Sequence, residues 1–466
     1  MDPQRLRALD VAHEHARAYL AGLAERPVGR VPDLQALRRS LGGPLPEHPT
    51  EDTVVVDDLA DAAEPGLVAS AGPRYFGFVV GGALPAALAA DWLVSAWDQN
   101  AGLSILSPAA AVVEEVTGDW LRELFGLAPS VSVGFVTGGQ MANLVGLSAA
   151  RHHVLARAGW DVEASGLAGA PPVRVVVGEQ RHATIDRALR FLGLGTASVT
   201  VVPADDQGRL RTDLLPEALA GHRRPTIVCA QAGDVNSGAF DDLGRVCDAA
   251  HDVDAWVHVD GAIGLWAAVS PQHRHLVEGL DRADSWATDA HKWLNVPYDS
   301  GIVFSAHADA HSSAFSLRAP YLVHAAEGEA REASDWVPES SRRARAIPVY
   351  AALRSLGRSG VAAMVERCCA LARRFADALR AVPGIEVCND VVLNQVLVRF
   401  EGGDGEPAAG DDRTRGVIAA IQDSGVCWMG GTMWQGRALM RISVSNWSTT
   451  EADVDRSVDA IRHAVR

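Results

Sequence analysis

Five short β-prone runs, at 131–137, 173–177, 199–202, 226–230 and 255–259, recur along the chain with helical stretches between them. That alternation constrains the fold more than any other feature. Strands separated by helices of about 10–15 residues do not pair as hairpins; each connection crosses over and returns in the same direction. The pattern predicts a mostly parallel, doubly wound α/β sheet with helices on both faces. A further run at 301–305 adds a strand. In such sheets a ligand binds beyond the carboxyl ends of the strands. Gly138, Gly139, His182, Asn236 and Asp260 all fall at or just past those ends.

The flanks divide differently. Residues 1–60 read as an N-terminal helical arm. Leu6, Leu9, Ala12, Ala16 and Leu20 have helical spacing, and Pro27, Pro32, Pro44, Pro46 and Pro49 then break the segment into turns. Such an arm cannot bury itself and needs a body or a partner subunit to lie against. Residues 61–310 hold the alternating pattern and form the large domain. Residues 311–345 are polar and poorly periodic, which reads as a mobile active-site loop. Residues 346–466 carry a long helix and strand-like runs at 385–388, 396–400 and 440–445, a smaller α+β domain.

Composition excludes several functions. A net charge of −16 offers no general basic surface for nucleic acid. No apolar run approaches the ~20 residues that span a bilayer. Residues 1–20 lack the basic and apolar regions of a signal peptide, so the expected location is cytoplasmic. Cys229, Cys247, Cys368, Cys369, Cys388 and Cys427 form no Cys-x-x-Cys pair and read as buried free thiols. No clustered ligands at usable spacing suggest a metal, and no G-x-G-x-x-G follows a strand.

Of forty-two basic residues only one, Lys292, is a lysine. Arginine codon bias explains the missing lysines but not the surviving one. An amine can lose its proton on burial and attack a carbonyl carbon, and a guanidinium cannot. Gly138-Gly139-Gln140 opens a helix whose N–H groups can hold a phosphate, or is simply a turn. Asp260 ends an apolar strand, where a carboxylate is costly without a cationic partner such as a protonated pyridine; it can also cap the next element. His182 can lie on an aromatic ring or cap its helix. His258 shares a strand face with Asp260 and reads foremost as a packed core histidine. Jointly a lysine, a carboxylate, a glycine turn and an imidazole describe a pyridoxal 5'-phosphate (PLP) site.

His258-Val259-Asp260-Gly261-Ala262, Thr288-Asp289-Ala290-His291-Lys292-Trp293 and the phosphate turn resemble the group II PLP-dependent amino-acid decarboxylases, which include aromatic-L-amino-acid, glutamate and histidine decarboxylases. Phe76-Gly77-Phe78, Ser107-Pro108, 233–238 and 439–446 resemble segments of the same family. The resemblance implies the aspartate-aminotransferase fold type I, with a mostly parallel seven-stranded sheet, and a homodimer with sites at the subunit interface. It makes Lys292 the Schiff-base residue and Asp260 the partner of the pyridinium nitrogen. Ala262 and His182 would cover the two ring faces, with Gly138, Gly139, Gln140, Asp289 and His291 near the phosphate and Asn236 nearby. Gln140 stands where many relatives have Ser or Thr, and Asp289 where they have Asn.

The implied reaction is decarboxylation of an L-amino acid to its amine. The aromatic residues Phe76, Phe78 and Trp336, with Tyr75, Trp92, Trp97 and Trp434, suit an aromatic or bulky apolar side chain. Arg318, Arg342, Arg343 and Arg441 offer an alternative, an acidic one. Aromatic decarboxylases of the family carry a protonating tyrosine in the loop. The stretch 329–345 has none, its only aromatic being Trp336, and Tyr321 lies upstream. A second outcome is therefore decarboxylative oxidative deamination to an aldehyde, with His182 or water otherwise supplying the proton.

Overall fold

The alternating segment closes into a seven-stranded sheet in the order β1-β7-β6-β5-β4-β2-β3. Its strands are β1 (Ser132–Val136), β2 (Arg174–Gly178), β3 (Thr200–Val202), β4 (Thr226–Gln231), β5 (Trp256–Asp260), β6 (Ser285–Asp289) and β7 (Gly301–Ser305). The structure is a computed structural model that describes residues 3–29, 33–221, 224–319, 331–402 and 407–466. Strands β2 to β6 pair in parallel, while β7 runs antiparallel to both β1 and β6. The mostly parallel sheet read from the sequence is present.

Strand β6 was not among the runs that stood out. Ser285-Trp286-Ala287-Thr288-Asp289 is half polar, yet all five residues are buried, because β6 sits between β5 and β7 with elements on both faces. Its position matters, since it delivers Asp289 and then Lys292 beside the end of β5. Gly301 on β7 permits another close approach: a Cβ there would stand 2.4 Å from Gly138 Cα. The glycine turn after β1 is thereby pressed against the start of β7, at the same end of the sheet as Asp260.

Behind the sheet lie fully buried aromatics, Phe135, Trp266, Trp286, Trp293 and Phe304. Trp293 follows Lys292 directly and anchors the lysine loop; truncating such a side chain costs about 3–5 kcal/mol. A second sheet, in the order β10-β11-β9-β8, forms the smaller C-terminal unit from β8 (Ile385–Val387), β9 (Gln395–Phe400), β10 (Gly430–Trp434) and β11 (Arg437–Ser443). All its pairings are antiparallel. The long helix Ala346–Arg380 precedes it, interrupted at Gly357 with φ 61°. The arm folds as helices Pro3–Gly22, Leu34–Leu41 and Asp52–Ala63, with Leu9, Leu20, Leu34, Leu41 and Leu59 exposed. Part of the expected loop, with Tyr321, lies outside the described residues.

Candidate active site

Lys292 emerges three residues past β6. Its Nζ is 3.0 Å from Asp289 Oδ2. Asp289 Oδ1 accepts from the backbone N–H of Gly139 and stands 3.3 Å from His291 Nε2. The first amide of the Gly139–Arg157 helix thus already holds an anionic oxygen, as a helix N-terminus favours. The lysine loop is held from behind by Asn295, a buried residue at φ 55°. Its Oδ1 accepts from Gly82 N at 2.5 Å and Trp447 N at 3.0 Å. A Cβ at Gly81 would stand 2.0 Å from the Lys292 carbonyl oxygen, so only glycine lets this segment lie against the lysine.

Asp260 ends β5 and is 5% exposed. Its Oδ1 accepts from Ala262 N at 3.2 Å and its Oδ2 from Asn143 Nδ2 at 3.0 Å. Both donors are neutral, and no ion-pair partner stands within 4.0 Å of this carboxylate among the described residues. A buried carboxylate without a cation is costly, and a protonated pyridine nitrogen is the partner it lacks. The residues present therefore fit PLP: an amine, a buried carboxylate suited to a cation, and a helix amide that binds an anion. The Ser300 hydroxyl oxygen is buried without a hydrogen-bond partner, and Ser300 N donates to His291 Nδ1 at 3.2 Å.

His182 caps the helix Ala183–Phe191, and its ring lies within electrostatic range of Asp260 and Lys292. Burial pushes its pKa down; the Asp260 charge opposes this, and Lys292 and Arg441 reinforce it. His291 is likewise lowered by burial. Gln140 Nε2 donates to the Thr184 carbonyl at 3.2 Å. Ala262 O accepts from Asp289 N at 3.3 Å, tying the ends of β5 and β6. Asn236 Oδ1 accepts from Thr432 Oγ1 at 2.9 Å and Arg441 Nη1 at 3.4 Å, bringing the small sheet to the site.

The other expected substrate residues are not gathered. Phe76 is 1% exposed and packs edge-on against Phe375, so it belongs to the core rather than to a binding surface. Phe78 is exposed and lies over Trp428, itself stacked on Tyr75. Trp336 packs against His311 and Arg331, away from the Lys292 group. Trp434 is buried with Leu397 and Leu439. Arg318 pairs with Asp335, Arg342 with Glu114 and Arg343 with Asp91. Of the four arginines, Arg441 is the one within electrostatic range of His182.

Several residues here escaped sequence reasoning. Tyr298, whose ring centroid lies 4.5 Å from that of His291, has its phenol pushed up to about 12 by burial and by Asp289. Asn143 lies one helical turn after Gly139, and that i+4 spacing was its only signal. Thr184 and Ser285 carried none.

A model of the pyridoxal-dependent decarboxylase conserved domain matches residues 35–401. The chain is 29% identical over 450 residues to tryptophan decarboxylase 1 of Oryza sativa subsp. japonica, covering 91% of this chain and 87% of that one. It is 30% identical over 386 residues to L-2,4-diaminobutyrate decarboxylase of Rhizobium meliloti (strain 1021), covering 82% and 75%. The solved structure of Oryza sativa TDC with PLP and tryptamine superposes with a TM-score of 0.92 at 25% identity, covering 100% of this chain and 98% of that one.

Proposed function

The chain belongs to the pyridoxal-dependent decarboxylase family, and on that premise we propose that it converts an L-amino acid with an aromatic or bulky apolar side chain to its amine and CO₂. PLP dependence and amino-acid decarboxylation come with the family; the side chain and the fate of the carbanion are our reading. When bound, PLP supplies a carbonyl carbon for an amine and an electron-poor ring that takes up the pair left by CO₂.

The protein's residues do the rest. With PLP bound, Lys292 would hold it through its amine and Asp260 would hold the proton on its ring nitrogen. His182 and Ala262 would lie beside the ring, and Gly138, Gly139, Gln140, Asp289 and His291 would hold the phosphate, with Asn236 nearby. Arg441 orients a carboxylate. The similarity to a tryptophan decarboxylase supports the aromatic reading. The observation that carries the proposal is the buried Asp260 carboxylate, with neutral donors only, on the strand adjacent to the one that delivers Lys292.

The exposed leucines of the arm support a homodimer with sites at its interface. The six free cysteines support a cytoplasmic location, and no helix among the described residues is long and apolar enough to cross a membrane. Two specific observations favour other outcomes. The tyrosine-free stretch 329–345 favours oxidation to an aldehyde. Arg441 favours an acidic substrate.

The test is a panel of L-amino acids with CO₂, amine and O₂ uptake measured together. Equal CO₂ and amine without oxygen consumption, greatest for aromatic substrates, is expected. Oxygen consumed with aldehyde formed would replace the amine reading, and a preference for glutamate or aspartate would replace the aromatic one.

A further inference from the structure

Behind Asp260 runs a chain of buried hydrogen bonds whose direction is fixed at the carboxylate end. Trp256 Nε1 lies 2.8 Å from Ser285 Oγ, and Ser285 Oγ lies 2.8 Å from His258 Nδ1. His258 Nε2 is 2.9 Å from Asn143 Oδ1. Asn143 Nδ2 is 3.0 Å from Asp260 Oδ2 and 3.0 Å from Thr184 Oγ1. Thr184 Oγ1 is 2.9 Å from His182 Nδ1.

An indole N–H only donates, and a carboxylate only accepts. Trp256 therefore donates to Ser285, whose hydroxyl proton is free to go to His258 Nδ1. That leaves His258 able to carry its proton on Nε2 and to give it to Asn143 Oδ1. From the other end, Asp260 requires the NH₂ of Asn143, which places Oδ1 toward His258 without a free choice of amide flip. That oxygen only accepts, so His258 must carry its proton on Nε2. Burial holds His258 near pKa 4, so it is neutral, as a one-way chain requires.

The second amide proton of Asn143 goes to Thr184 Oγ1, whose own proton goes to His182 Nδ1. An independent contact fixes that last step. Thr184 N, a donor only, points at the same His182 nitrogen at 3.3 Å. Nδ1 is therefore an acceptor and the ring proton is on Nε2, which makes no hydrogen bond among the described residues. The ring lies within electrostatic range of Asp260, Lys292, Arg441 and Asp289. Space for the chain is built into the fold: a Cβ at Gly146 would stand 2.6 Å from His258 Cε1.

We propose that Trp256, Ser285, His258 and Asn143 are positioning residues that form a one-way hydrogen-bond relay, fixing the plane of the Asp260 carboxylate and, through Thr184, holding His182 as the tautomer that offers an Nε2–H proton to the Lys292 pocket. Asn143 is the branch point, so one amide sets both the group that faces the ring nitrogen and the imidazole beside it. The identity of a histidine's free nitrogen is set by what the other nitrogen bonds. This rests on the decarboxylase reading for its purpose but not for its geometry.

The test uses protein labelled with ¹⁵N-histidine, with His182 assigned by difference from His182→Gln. In wild-type protein, with and without PLP, His182 carries its proton on Nε2. Thr184→Val, which cuts one branch, mixes the tautomers of His182 and lowers kcat about 10-fold at unchanged KM, while PLP affinity and the pH titration of the visible band stay put. Asn143→Leu, which cuts both branches, also weakens PLP and shifts that titration. Trp256→Phe keeps the packing and, with Asn143 still in place, leaves His258 protonated on Nε2. A wild-type His182 protonated on Nδ1 overturns the relay. So does a Thr184→Val protein whose PLP affinity falls as far as that of Asn143→Leu. Wild-type protein that takes up no PLP while His182 is protonated on Nε2 overturns the decarboxylase reading and leaves the relay standing.

Discussion

The two ends of the candidate site are built on opposite plans. At the ring end, around Asp260, each named polar group has a partner, and the chain from Trp256 through Asn143 runs through buried side chains. At the phosphate end a carboxylate sits on the helix amide of Gly139, an ammonium sits on the carboxylate, and the hydroxyl of Ser300 has no partner. The difference teaches which end is pre-organised by the fold. The ring end is set by strands and a helix that bury Asn143, His258 and Asp260, and it resists change. The phosphate end is held by ionic contacts that an incoming anion can exchange.

That contrast can be broken by substitution. The largest effect belongs to Asp260→Asn, which removes the buried charge that the proposed function sets against the ring nitrogen. Loss of one partner of a buried pair costs about 3–5 kcal/mol, so kcat should fall by at least ~10²-fold. A steady-state rate within a few-fold of wild type would show that Asp260 does not face the ring nitrogen.

The next effect is on stability, and it also belongs to buried histidines such as the one at the ring end. Burial pushes His258 down to about 4, His153 to about 4 and His311 to about 3. Their folded pKa values lie below the unfolded one, so they cost nothing at neutral pH, where both states are unprotonated. As pH falls below about 6.5 the unfolded chain takes up protons that the folded chain refuses. Each histidine then removes up to ~1.4 kcal/mol of stability per pH unit. Urea melts at pH 7.5 and pH 5 measure this directly; equal midpoints would contradict it.

At the phosphate end the expected sign reverses. Asp289→Asn removes a negative charge from beside a bound phosphate and should tighten PLP by about 10-fold, read as the PLP dissociation constant. Weaker binding would show that the Asp289 carboxylate is needed in its present place. The smallest effect is Ser300→Ala, which removes one hydroxyl and should weaken PLP about 5-fold, the worth of a single hydrogen bond. Unchanged affinity would place Ser300 outside the phosphate site.

The same contrast explains what the sequence could reveal. Alternating strands and helices announced the sheet, and strand ends pointed to Gly138, Gly139, His182 and Asp260. Lys292 was visible because it is alone. The relay was hidden, since Asn143, Thr184 and Ser285 are ordinary residues made into one chain only by packing of the Gly139–Arg157 helix on β5. Strand β10 was missed because Gly430-Gly431 disguises it. Phe76 was read as a substrate contact because burial against Phe375 is a long-range fact. The arginines 318, 342 and 343 were equally open until Asp335, Glu114 and Asp91 were found beside them.

One measurement reaches the central claim most directly, and the single lysine makes it clean. Protein incubated with PLP is reduced with borohydride, digested and mapped by mass spectrometry. The account predicts one pyridoxyl adduct, on Lys292 and absent from Lys292→Ala protein. An adduct on the amino terminus alone, or none at all, would contradict it.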